Sequence, residues 1–155
     1  MKKFIVFIFT AIILAVGTSF TAKAQLNIAK QSDMPKQVKT IALYWTWVYQ
    51  DKEGYYLVTK SDNQFDDDWF WLPIGSTKEE CIESIDGLLS ITESDDDSIF
   101  TIDDARGGKL NAFKFKYLGE TMVCLTDVGH RYAGKGTLAK MYLNKTKRWC
   151  EENIK

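Results

Sequence analysis

The chain carries one histidine, His130, and three cysteines, Cys81, Cys124 and Cys150. A single imidazole excludes every metal site that needs two, HExxH proteases among them. Three isolated cysteines with no CxxC spacing argue against both structural zinc and redox catalysis. A Cys–His nucleophile pair would have to use His130, and nothing around Cys124, six residues before it, resembles a nucleophile turn. A Ser–His–Asp set lacks the GxSxG turn. No metal and no cofactor is expected, and His130 reads as an ordinary loop residue.

The acidic runs Asp66-Asp67-Asp68 and Asp95-Asp96-Asp97 lack the D-x-D-x-D-G spacing of a calcium loop, so they read as solvated loops. Residues 131–136, Arg-Tyr-Ala-Gly-Lys-Gly, form R-x-x-G-x-G between an expected strand and helix. The motif resembles the pyrophosphate loop of GNAT acetyltransferases, and the resemblance implies coenzyme A held by backbone N–H groups at a helix N-terminus. It covers about twenty residues. Only nineteen residues follow the motif. The later elements of that family are therefore missing and the earlier ones stand in the wrong order, so the segment reads as a glycine-rich turn opening a helix.

Aromatic residues are the remaining signal. Trp45 with Trp47, and Trp69 with Trp71, are spaced by two, which on strands points each pair to one face. Such rings either pack a core or form a contact surface for a protein or a glycan. The candidate binding residues are Asp66, Asp67, Asp68, Trp69 and Trp71. The leading reading is a small non-catalytic binding protein that inhibits or neutralises a partner protein. The second is a glycan-contacting module on a Trp/Tyr platform, and the third a small carboxylate-dependent hydrolase.

These residues need elements to hold them. Thr40–Gln50 alternates and reads as one strand with Ile41, Leu43, Trp45, Trp47 and Tyr49 on one face. A turn at 51–54 returns the chain as Tyr55–Lys60, and Trp69–Leu72 is a third strand ended by Pro73. Ser76 and Thr77, each followed three residues later by Glu, open a helix with Cys81, Ile82, Ile85, Leu88 and Leu89 on one stripe. Ser98–Ile102, Asn111–Leu118 and Thr121–Thr126 are further strands, the second with Phe113, Phe115 and Tyr117 inward. Thr137–Asn153 is a second helix lined by Leu138, Leu143, Thr146 and Cys150. The order β-β-β-α-β-β-β-α predicts an α+β domain over residues 40–155: one antiparallel sheet of five to six strands with two helices on one face. Two helices on one sheet bring Cys81 towards Cys150, the pair expected to bridge if any two of the three do.

Met1-Lys2-Lys3, a thirteen-residue stretch from Phe4 to Val16 broken only by Thr10, and Ala22-Lys23-Ala24 follow the plan of a secretory signal, with residues 25–39 as a flexible lead-in. The apolar run is shorter than the ~20 residues that span a bilayer. Cleavage after Ala24 predicts export to the periplasm or medium with no membrane span left. The remaining 17 bases and 21 acids argue against nucleic acid as a partner. Residues 62–104 hold fourteen acids and one base, while residues 105–155 hold eleven bases and four acids. An acidic-backed helix lying beside a basic-backed one would account for that division.

Overall fold

The computed structural model describes residues 34–65, 68–129 and 134–155; the expected signal, 1–24, and the start of the lead-in lie outside them. Strands β1 (Lys36–Ala42), β2 (Thr46–Gln50), β3 (Tyr55–Lys60) and β4 (Trp69–Gly75) pair antiparallel in chain order, and helix α1 (Lys78–Glu93) follows. Strands β5 (Ile99–Asp103), β6 (Lys109–Tyr117), β7 (Glu120–Asp127) and β8 (Gly136–Ala139) repeat the plan, and α2 (Lys140–Asn153) closes it. The α+β class holds, but two four-stranded sheets replace the single sheet of five to six strands. Among the described residues no helix is long and apolar enough to cross a membrane.

Each extra strand has a local cause. Within Thr40–Gln50 the Trp45 N–H donates to the Ala42 carbonyl at 3.1 Å and Tyr44 takes φ 68°. That turn splits the expected strand in two, so Trp45 does not share a face with Trp47. β1 starts at Lys36, inside the segment expected to be a lead-in. β4 runs through Pro73 instead of ending there. It is an edge strand, where a missing N–H can face away from the ladder. In the second half, Thr137 and Leu138 pair with Cys124 and Val123, so the expected helix yields its first residues to β8 and begins at Lys140. In β6 the buried residues are Leu110 and Ala112, and Phe113 and Phe115 are half-buried with Tyr117 exposed. The opposite parity from the expected one wins because Leu110 and Ala112 complete the core.

Helix α1 starts on a capping box. The Thr77 hydroxyl accepts from the Glu80 N–H at 3.3 Å, while the Glu80 carboxylate accepts from the Ser76 N–H at 2.8 Å and the Thr77 N–H at 3.2 Å. The backbone bond from Ser76, followed by its hydroxyl, holds the Glu80 carboxyl below its usual range. The two helices run antiparallel: Lys140 pairs with Glu93 at 2.9 Å and Lys147 with Asp86 at 2.7 Å. The acidic and basic stretches of the chain therefore meet along this seam. Both pairs are partly exposed and contribute at most about 1 kcal/mol each. Burial of Cys81, Ile85, Leu88, Leu143 and Cys150 beneath them carries the packing.

α1 contacts β4, β6 and β7, and α2 contacts β1, β7 and β8. One core therefore takes side chains from both sheets, including Val48, Leu57, Phe70, Leu110, Val123 and Leu138. The sheets also meet directly. Ser61 bridges to Gly136, the Thr59 hydroxyl donates to the Thr137 carbonyl at 3.0 Å, and the Asp62 N–H donates to the Lys135 carbonyl at 2.8 Å. A Cβ at Gly136 would stand 2.6 Å from the buried Phe70 ring, whereas one at Gly87 in α1 would meet nothing within 4 Å. Gly136→Ala is expected to lower unfolding free energy by about 1–3 kcal/mol. Gly87→Ala should raise it by up to about 1 kcal/mol. Urea denaturation checks both, and equal effects at the two sites would contradict the packing at the joint.

Candidate binding site

The outer face of the first sheet is aromatic because the strand register demands it. Val48, Leu57 and Leu72 lie across from one another on the inner face, and so do Thr46, Thr59 and Phe70. Residues of opposite parity, Trp47, Tyr49, Tyr56, Trp69 and Trp71, then point outward, and all are half-buried. They bury one another and cover Val58, which is fully buried among them. Trp47 and Trp69 have ring centroids 4.6 Å apart at 45°, and Tyr49 and Trp71 are 4.9 Å apart at 51°. Tyr56 meets Trp71 edge-on at 6.1 Å, and the Arg106 guanidinium lies 5.8 Å from the Trp71 ring centroid. The Trp71 indole N–H is buried and finds no acceptor among the described residues.

One end of this face is rimmed by loops. The β1–β2 turn presents Leu43, Tyr44 and Trp45, which are 68%, 71% and 52% exposed, and Phe65 on the β3–β4 loop is 85% exposed. The turn is tied to the end of β3, from which the second loop leaves. The Trp45 carbonyl accepts the Lys60 N–H at 2.9 Å and the Thr59 hydroxyl at 3.1 Å. The β3–β4 loop is closed by the Ser61 N–H to the Asp68 carbonyl at 2.8 Å. It is clamped from the second half by the Lys135 N–H to Asp62 Oδ1 at 2.6 Å. The left-handed Tyr44 costs about 1 kcal/mol and persists because these bonds hold the turn.

The residues expected to bind are distributed accordingly. Trp69 and Trp71 lie on the aromatic face and Asp68 at its rim, while Asp66 and Asp67 lie outside the described residues. Sequence reasoning missed Tyr49, Tyr56 and Arg106. The two tyrosines were signalled by the period-2 alternation of their strands, but Arg106, brought in from the β5–β6 turn, had no local signal. Trp45 and Trp47 are not fully buried, so the sugar platform is not excluded on that ground. The tilted Trp47–Trp69 and Tyr49–Trp71 pairs nevertheless leave no broad coplanar surface.

Other expected chemistries find less support. His130 and Arg131–Ala133 lie outside the described residues, but Gly136 opens a strand, so the glycine motif does not lead into a helix N-terminus. Glu53 and Glu80 line a cavity of about 220 Å³, yet the Glu80 carboxylate is occupied by the cap of α1. Asp95, Asp96 and Asp97 are exposed, as expected of a solvated loop; Asp96 also pairs with Lys114 at 2.7 Å, and that bond holds its carboxyl below the usual range. Among the described residues no three His, Cys, Asp or Glu side chains group to hold a metal ion. An apolar groove of about 400 Å³ runs between β4, α1 and β5, lined by Leu72, Ile74, Leu88, Ile91, Phe100 and Ile102.

No family model, curated protein or solved structure matches the chain.

The close, tilted Trp47–Trp69 pair should couple excitonically and give a band in far-UV circular dichroism. Trp47→Phe is expected to remove that band while the thermal unfolding transition stays cooperative. An unchanged band would contradict the ring geometry.

Proposed function

We propose that the protein is an exported, non-catalytic binding module that contacts a partner protein through the aromatic rim at the end of its first sheet. The observation that carries this reading is the group of four large apolar side chains, Leu43, Tyr44, Trp45 and Phe65, exposed on two loops at the same end of the first sheet. Monomeric surfaces rarely gather such residues, and aromatic anchors ringed by polar groups are the usual energetic centre of protein interfaces. Asp62 and Asp68 supply acidic groups beside them, which favours a partner surface carrying Lys or Arg. Inhibition of that partner by occlusion is the activity this surface would have.

A glycan reading is less well supported by the same rings. Stacking on a sugar uses an open ring face. Here Trp47 and Trp69 pack at 4.6 Å and Arg106 lies over Trp71. The hydrolase reading draws little from a cavity whose Glu80 caps a helix.

Capture experiments with the native envelope fraction test the proposal when run with variants. The wild-type protein is expected to retain a discrete protein, and Trp45→Ser/Phe65→Ser should weaken that interaction at least about tenfold. Leu118→Ser, on the exposed turn of the other sheet, should leave it unchanged. Equal retention by all three proteins, or retention of polysaccharide alone, would overturn the proposal.

A further inference from the structure

The geometry points to a disulfide between Cys81 and Cys150 that staples the two sheet–helix halves, leaving Cys124 as a free thiol. The helix seam fixes the register. A step of seven residues from Glu93 to Asp86 along α1 is matched by a step of seven from Lys140 to Lys147 along α2. The next step in the same directions brings the first turn of α1 against the last turn of α2. Cys81 and Cys150 stand there, both fully buried in the core that the two halves share. The Cys81 sulfur also lies 3.7 Å from the Gly75 carbonyl. Tyr55 and Trp149, in edge-on contact at 6.0 Å, pack against the same part of the core.

Closure is a thiol–disulfide exchange. One of the two thiolates displaces one sulfur of a small-molecule or protein disulfide and forms a mixed disulfide, releasing one thiol. The sulfur of the other cysteine then attacks the protein sulfur of that mixed disulfide and releases the second thiol. Two electrons pass to the oxidant, and the two thiol protons end on its two released sulfurs. Burial requires this to happen while the helix ends are still open, during folding.

Cys124 sits on β7 opposite Phe113 and Thr137, on the face away from Val123 and Leu125, which enter the core with Cys81 and Cys150. The staple closes a loop of about 70 residues between the halves, which is the long-loop case in which a bridge constrains the unfolded chain most.

Wild-type protein folded in the presence of glutathione disulfide tests this. Its denatured but unreduced form should take up one alkyl group, at Cys124, and its peptide map should contain a Cys81–Cys150 linked pair. Reduction should lower the thermal midpoint by roughly 10 °C. Alkylation of all three cysteines, or a linked pair that includes Cys124, would overturn the assignment. An unchanged midpoint on reduction would overturn its role as a staple.

Discussion

Both helices must bury their apolar stripes in the same place. α1 and α2 lie antiparallel, each touching strands of both sheets. Leu57 and Phe70 from one sheet and Val123 and Leu138 from the other enter one core. Neither half encloses these side chains by itself. At ~25 cal/mol per Å² of buried apolar surface, the shared core outweighs the two partly exposed ion pairs on the seam. Those pairs set the register of the seam. The acidic and basic blocks of the chain are two sides of that contact, so the near balance of charge conceals a strongly divided molecule.

The same constraint leaves the aromatic face without a helix. With both helices committed to the inner surfaces, Trp47, Tyr49, Tyr56, Trp69 and Trp71 pack, among the described residues, against one another and Arg106. They make a rigid base for the exposed turn and loop above them. Clamping of the β3–β4 loop by Lys135 of the second half means that the rim depends on both sheets being in place. A rim held in this way loses little conformational entropy on binding, which is how a small surface gains affinity.

Much of this was readable in the residues, and the exceptions share a cause. The capping box at Thr77, the apolar stripes of both helices and the shared face of Trp69 and Trp71 follow from local pattern, and the structure contains them; that this face is the outer one does not follow from it. The split of Thr40–Gln50 does not, because an alternating run gives no sign that Tyr44 will turn left-handed. β8 looked helical because Leu138 and Ala139 continue the period of α2; pairing with β7 overrode it. The alternation in β6 favours Phe113, Phe115 and Tyr117 as its inner face, but packing selects the smaller Leu110 and Ala112, which fit beneath the helices. Pro73 marked an edge strand and not a strand end. Tertiary competition decided each of these cases.

The proposed binding role of the aromatic rim is tested most directly by hydroxyl-radical footprinting of the purified protein, alone and with the native envelope fraction. This arrangement predicts ready oxidation of Tyr44, Trp45 and Phe65 in the free protein and their selective protection in the mixture, with Tyr117 and Leu118 labelled equally in both. Protection spread evenly over the surface, or none at Tyr44, Trp45 and Phe65, would contradict it.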